Sequence, residues 1–343
     1  QLSIRRLPLR KHPMSSLLKP SEIVARLNDH VIGQDAAKRV LAVTMHAHYR
    51  RMAQVVPDQV ELTKSNILLI GPTGSGKTLL CETLARILDL PFVTVDATSL
   101  AQTQFVGDEI EAILHRLIER AGGDPARAQR GIVFVDEVDK LRAAGAAAHG
   151  SSGESVQHAL LKIMEGAPVR LRDGRHFDTT HILFICGGAF VGLDTILTRT
   201  HTFGFISTGG GDHQKILDRL NARVKPTDLL EFGLIPEFAG RLPVVTRLHE
   251  LTQDMLVRIL TEPKNAIYRQ FQAMLAVDGV TLQVAPEVFR QIAELAIEYK
   301  AGARSLRGIF EEMMTDVMYA VPDQPTIRRV TIRSLFEPPQ LSP

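Results

Sequence analysis

The sequence predicts an α/β fold: a mostly parallel sheet with helices on both faces, followed by a smaller, mainly helical unit. Three observations carry this. Short, wholly apolar runs alternate with stretches of helical periodicity between Ile67 and Cys186. The glycine-rich segment Gly71–Thr78 joins the first of these runs to a helical pattern. Beyond Thr252 the periodicity becomes mainly helical. Strands with no polar face belong to a sheet covered on both sides, which parallel crossover connections produce.

In chain order, Gln1–Pro20 carries Arg5, Arg6, Arg10, Lys11 and Lys19 with no acidic residue, and predicts a basic tail or linker. Ser21 follows Pro20 as the cap of a short amphipathic helix to Leu27. Val31-Ile32-Gly33-Gln34 is a turn before a longer helix from Asp35 to about Met52, and Val55–Lys64 is a connecting loop. Ile67–Ile70 is the first strand; Leu79, Leu80, Leu84, Ile87 and Leu88 mark the helix after the glycine-rich loop. Phe92–Asp96 is the second strand, and Ile110, Ile113, Leu114, Leu117 and Ile118 form one helical face. Ile132–Val135 is the third strand. Val156, Leu160, Ile163 and Met164 mark a further helix, and Ile182–Cys186 is the fourth strand. Ala143–Gly153 and Phe203–Asp212 are loops rich in small residues. After Thr252, helices are expected over Thr252–Met274, Pro286–Tyr299 and Ser305–Ala320, with strands at Val280–Val284 and Arg329–Ile332. The expected division is a tail at 1–20, a large nucleotide-binding domain at 21–248, a small lid domain at 249–335 and a C-terminal tail at 336–343.

With 45% hydrophobic and 23% charged residues in 343, the chain can bury a sizeable core. A net charge of +2 gives no electrostatic case for nucleic acid or an anionic membrane. No apolar run is long enough to span a bilayer. Cys81 and Cys186 sit in apolar segments and read as buried free thiols of a reducing compartment rather than as a disulfide or metal pair. His46 and His48 lie two apart on a helix and face different ways, so they do not form a metal pair. No Ser-His-Asp or Cys-His set is present to cleave a peptide.

The chemistry concentrates at Gly71-Pro72-Thr73-Gly74-Ser75-Gly76-Lys77-Thr78. Glycines let backbone N–H groups approach phosphate oxygens, and a helix N-terminus adds unpaired donors. Lys77 reaches the outer phosphates, and the Thr78 hydroxyl suits Mg²⁺. The third strand delivers Asp136 and Glu137 to its carboxyl end, one for the metal and one for the attacking water. Arg241 lies in Gly-Leu-Ile-Pro-Glu-Phe-Ala-Gly-Arg-Leu-Pro (233–243), and Arg304 in Gly-Ala-Arg-Ser-Leu-Arg (302–307). Phosphoryl transfer builds charge that an arginine neutralises.

Together with Val31–Gln34, Gly131–Lys140 and Gly187-Gly188-Ala189-Phe190, these stretches resemble the ClpX family, AAA+ P-loop ATPases that serve the Clp protease. The likeness runs from about Pro20 to Ile332. It implies a homo-hexamer that uses ATP and Mg²⁺ to unfold and thread unfolded or tagged proteins into a ClpP-type peptidase. By position, Val31 and Ile32 would border the adenine, and Gly71–Thr78 with Leu79 would hold the phosphates. Thr78 and Asp136 would hold Mg²⁺, and Glu137 would serve the water. Arg241 would reach into the neighbouring subunit's site, and Arg304 would contact nucleotide from the small domain. Phe105-Val106-Gly107 matches the loop that grips substrate in the pore, and Phe203-Gly204-Phe205 the tip that docks on the peptidase. Alternatives on the same core are a remodelling chaperone without a peptidase and a nucleic-acid motor. Three departures stand out. No Cys-x-x-Cys occurs, so this sequence does not include the family's N-terminal zinc module, whether that module was removed or never present. Val169–Thr180, with Arg172, Arg175 and His176, is short against the family's basic loop. The second pore loop, about Arg142–Ser152, is rich in alanine.

Overall fold

The computed structural model describes residues 18–52, 63–103, 106–142, 152–202 and 223–343. Two helices lead, α1 (Pro20–Asn28) and α2 (Asp35–Met52). Then come β1 (Ile67–Ile70), α3 (Lys77–Ile87), β2 (Phe92–Asp96), α4 (Ala97–Gln102), α5 (Val106–Arg120), α6 (Pro125–Ala128) and β3 (Ile132–Asp136). They are followed by α7 (Ser152–Met164), β4 (Pro168–Arg170), β5 (His176–Asp178), β6 (Leu183–Gly188) and α8 (Leu193–Thr202). The large unit closes with α9 (Pro226–Phe232), α10 (Pro236–Gly240) and β7 (Val244–Arg247).

Five of these strands form one parallel sheet in the order β2-β3-β6-β1-β7. Side chains alternate between two cores, as a strand's period of two requires. Leu68, Ile70, Val133, Val135, Phe184 and Cys186 pack under α4, α5, α7 and the helices after β6. Ile67, Leu69, Ile132, Phe134, Leu183 and Ile185 pack under α1, α2 and α3. The cysteines therefore lie on opposite faces, both buried and free. Burial pushes both thiols up, Cys186 to about 12, so neither serves as a nucleophile.

A second core gathers α11 (Gln253–Thr261), α12 (Ile267–Val277), α13 (Pro286–Glu298) and α14 (Arg304–Asp323) around β8 (Thr281–Val284), β9 (Arg329–Ile332) and β10 (Gln340–Ser342). β8 and β9 run parallel; β10 adds antiparallel to β9, in the stretch read from sequence as a tail.

Other expectations change in detail. The helix expected over Thr252–Met274 is two helices, α11 and α12, broken around Pro263, which has no N–H to continue a helix. The short stretch after Val169 is not a plain loop: β4 and β5 form an antiparallel hairpin, Val169 opposite Phe177. Among the described residues no helix is long and apolar enough to cross a membrane.

Candidate nucleotide site

The ends of β1, β3 and β6 meet at the carboxyl edge of the sheet, because β6 lies between the other two. The phosphate loop leaves β1 at Gly71, whose N–H donates to the Gly188 carbonyl at 3.1 Å. Gly74 and Gly76 take left-handed backbone angles, φ +78° and +95°. These turns bring the chain into α3, whose first residue is Lys77. The Lys77 ammonium donates to the carbonyls of Gly71 and Pro72 at 2.7 and 3.1 Å. Burial lowers its pKa; Asp136, Asp139 and Glu137 oppose that shift, and Arg304 adds to it. One residue on, the Thr78 hydroxyl donates to Asp136 Oδ2 at 3.3 Å. A hydroxyl and a carboxylate at this spacing fit a shared Mg²⁺, and the loop's glycines fit a phosphate chain. Glu137 follows with φ +59°, an uncommon angle that turns the chain sharply at the strand's end, and its N–H donates to Asp136 Oδ1 at 2.9 Å. Pro72 and Ser75 lie within the loop, Thr73 is exposed at its tip, and Leu79 is exposed on α3.

The small unit reaches this loop through backbone. A Cβ on Gly74 would lie 2.4 Å from the Ala301 carbonyl, and one on Gly302 (φ +57°) 3.1 Å from the Gly74 carbonyl. Only glycines allow that approach. Arg304 begins α14 two residues later and acts electrostatically on Lys77. Gln34 (φ +58°) is buried, and its amide donates to the Ser75 carbonyl at 3.3 Å and the His249 carbonyl at 2.9 Å.

At the α1–α2 turn lies a pocket of about 510 Å³, lined by Val31, Ile32 and Gly33 from that turn and by Arg258, Glu262 and Lys264 from α11 and the turn after it. Lys38 also lines it; its buried ammonium donates to Asn28 Oδ1 at 2.7 Å and the Val31 carbonyl at 2.6 Å, fixing the turn. Across the mouth, Lys264 Nζ meets Asp29 Oδ2 at 2.6 Å and the Lys264 N–H donates to the Asp29 carbonyl at 3.0 Å.

Arg241 is elsewhere. It stands three residues before Val244, which pairs with Ile67 at the amino end of β1. Asn66, just before β1, donates to the Arg241 carbonyl at 3.2 Å. β1 spans about 13 Å, so Arg241 and the phosphate loop occupy opposite edges of the sheet. The guanidinium, half exposed, pairs with Glu165 at 2.7 Å.

The family model described as "AAA domain (Cdc48 subfamily)" matches residues 62–245, and that described as "C-terminal, D2-small domain, of ClpB protein" matches 251–330. A Treponema denticola protein named "ATP-dependent Clp protease ATP-binding subunit ClpX" is 46% identical over 320 residues, 88% of this chain and 77% of that one. An Azotobacter vinelandii protein of the same name is 44% identical over 341 residues, 92% of this chain and 77% of that one. The chain belongs to the ClpX family. It is an AAA+ ATPase and not a peptidase.

The structure of this ClpX-family chain brings together Lys77, Thr78, Asp136, Glu137 and, from the small unit, Arg304; it sets Arg241 apart. Val106 and Gly107 open α5, Val106 packed against the core and Gly107 exposed. Phe105, Phe203, Gly204, Phe205 and most of Arg142–Ser152 lie outside the described residues. Two of the basic residues near Val169 are engaged within the chain: Arg172 pairs with Asp108 and Glu111, and Arg175 with Asp173. Two residues that sequence reasoning left without a role belong to the site. Gln34 is the last residue of the Val31–Gln34 turn; its left-handed angle has no sequence signal beyond the preceding Gly33. Asp139 is buried behind Glu137, and only its spacing from Asp136 hints at it.

Proposed function

We propose that this chain is the ATP-driven unfoldase and translocase of a Clp-type protease, acting as a homo-hexamer in the cytoplasm and passing unfolded or tagged proteins to a ClpP-type peptidase. Mg-ATP binds at the carboxyl edge, with the base between Val31, Ile32 and the small domain. Gly71–Thr78 holds the phosphates, Lys77 their charge, and Thr78 with Asp136 the metal. Mg²⁺, when bound, supplies charge neutralisation at the phosphates. Glu137 orients the water, and Arg304 reports the nucleotide to the lid.

The observation that carries this reading is the position of Arg241. A guanidinium at the opposite edge from its own loop cannot serve its own nucleotide. It suits a neighbour's, and a shared site requires a ring of copies. The backbone contact of Gly74 with Gly302 supports the rest: a change at the phosphates alters the surface on which the small domain rests, and a lid that turns with each hydrolysis can pull a chain. Phe105-Val106-Gly107 would grip that chain, and Phe203-Gly204-Phe205 would dock the peptidase.

The test is degradation of a folded, tagged reporter with and without purified ClpP, comparing wild type with Glu137→Gln. The expected result is degradation that needs both ATP and ClpP, and a variant that binds ATP, assembles and stalls. Phe105→Ala should keep ATP turnover and lose unfolding. Deleting residues 203–205 should abolish ClpP binding and spare turnover. Unfolding without any ClpP binding would instead favour a stand-alone remodelling enzyme, and nucleic-acid-stimulated turnover a nucleic-acid motor.

A further inference from the structure

The three strands that meet at the site contribute unequally. β1 supplies the phosphate loop and β3 supplies Asp136 and Glu137, but β6, between them, ends in Gly187-Gly188-Ala189 and brings no polar side chain. The group that covers this end comes from the short turn after β3. Asp139 is 4% exposed. Its Oδ2 accepts the Phe190 N–H at 3.2 Å. Its Oδ1 is buried and has no hydrogen-bond partner. A Cβ built on Gly188 would lie 2.5 Å from that oxygen, so Gly188 is bare where the carboxylate leans over it. Asp139 also lies in the electrostatic field of Lys77.

One oxygen is thus anchored by backbone and the other is left open, inside the triangle of strand ends that holds Lys77 and Glu137. An orphaned carboxylate oxygen in a folded core marks a place for an ordered water or a ligand atom. We propose that Asp139 is a third carboxylate of the hydrolytic site, whose Oδ1 accepts a hydrogen bond from the attacking water. In the step itself the water oxygen bonds to the γ-phosphorus as the bond from that phosphorus to the β–γ bridging oxygen breaks. ADP leaves with the electron pair, and a water proton passes to the Glu137 carboxylate. Asp139 takes no proton in this step; it fixes the direction of the water. The inference rests on the reading of Glu137 given above.

The test uses Asp139→Asn. The amide oxygen can still accept the Phe190 N–H, while an NH₂ donor replaces the open acceptor. In the full chain we expect kcat to fall about tenfold or more with KM little changed, the pattern of an interaction made in the transition state. By calorimetry, affinity for Mg-ADP should hold within about twofold while affinity for the complex of ADP with aluminium fluoride drops about tenfold. The thermal midpoint should stay near wild type. Gly188→Ala, whose Cβ displaces Oδ1 without touching its charge, should reproduce the kcat loss. A wild-type kcat in both variants overturns the proposal. So does a parallel loss of kcat, Mg-ADP affinity and thermal stability, which would make Asp139 a structural anchor only. Glu137→Gln is run alongside: if it turns over normally, the reading of the site fails; if it stalls while Asp139→Asn does not, only this inference fails.

Discussion

Gln34 and His249 pair through both ends of one amide: the Gln34 Nε2 donates to the His249 carbonyl at 2.9 Å, and its Oε1 accepts the His249 N–H at 3.0 Å. The same Nε2 also donates to Ser75 in the phosphate loop at 3.3 Å. His249 lies between Leu248, which follows β7, and the small unit. One side chain therefore ties the loop to the connection between the two units. Gln34→Glu keeps the shape and removes the donor, leaving two carbonyls facing a carboxylate. Each unmet buried group costs about 1–3 kcal/mol, so nucleotide affinity should fall about tenfold or more. Hydrogen exchange at residues 249–252 should rise in the same variant. Unchanged affinity together with unchanged exchange would remove Gln34 from the coupling.

Arg241 yields a prediction about pairs of subunits. Its backbone is held by Asn66, and its side chain by Glu165, at the edge remote from its own Lys77. Arg241→Ala should bind Mg-ATP normally and lose about 10³-fold in turnover. Mixed with Glu137→Gln, it should regain part of that rate, because some interfaces then join an intact cradle to an intact arginine. No recovery on mixing, under conditions where the two variants co-assemble, would count against a shared site.

The sheet was legible because β1, β6 and β3 up to Val135 are apolar and buried, which leaves few other readings for Ile67–Ile70 or Ile132–Val135. β7 was not. Val244–Arg247 is an edge strand between Pro243 and Leu248, half-exposed, and its four residues look like loop until Ile67 pairs with Val244. The hairpin of β4 and β5 was missed for the same reason: three-residue strands carry almost no periodicity. At the site, Lys77, Thr78, Asp136 and Glu137 follow from local spacing. Gln34 and Asp139 act through partners 215 and 51 residues away, and no local pattern reports such distances.

The engagement of Arg172 argues against a freely cationic tip on the β4–β5 hairpin. Its guanidinium meets Asp108 and Glu111, and its N–H meets Glu111, all on the first turns of α5. The hairpin therefore braces the helix that begins at Val106 and Gly107. Exposed ion pairs contribute about 0–1 kcal/mol, so Arg172→Ala should scarcely change stability. We expect it instead to reduce unfolding per ATP consumed, with Asp108→Arg combined with Arg172→Asp restoring it. Degradation of a reporter measured against ATP turnover decides this. If coupling is unchanged in Arg172→Ala, the brace has no part in gripping substrate.

His48 sets an acid limit on the fold. Its ring is buried, with Nε2 at 3.0 Å from the His181 carbonyl, and Arg51, Lys64 and His181 face it. Burial first, then the charge of Arg51, lowers its pKa from 6.5 to about 4, against the weaker opposing effect of the His181 carbonyl. Between those values the unfolded chain binds a proton that the folded chain does not. Stability from this group is therefore complete above pH 6.5 and is lost as pH falls towards about 4. The loss amounts to about 3 kcal/mol over the window. His48→Gln retains a donor for the His181 carbonyl and cannot be protonated there. Denaturant midpoints at pH 7 and pH 4.5 should differ less in that variant than in wild type. Equal shifts in the two proteins would assign the acid sensitivity to other groups.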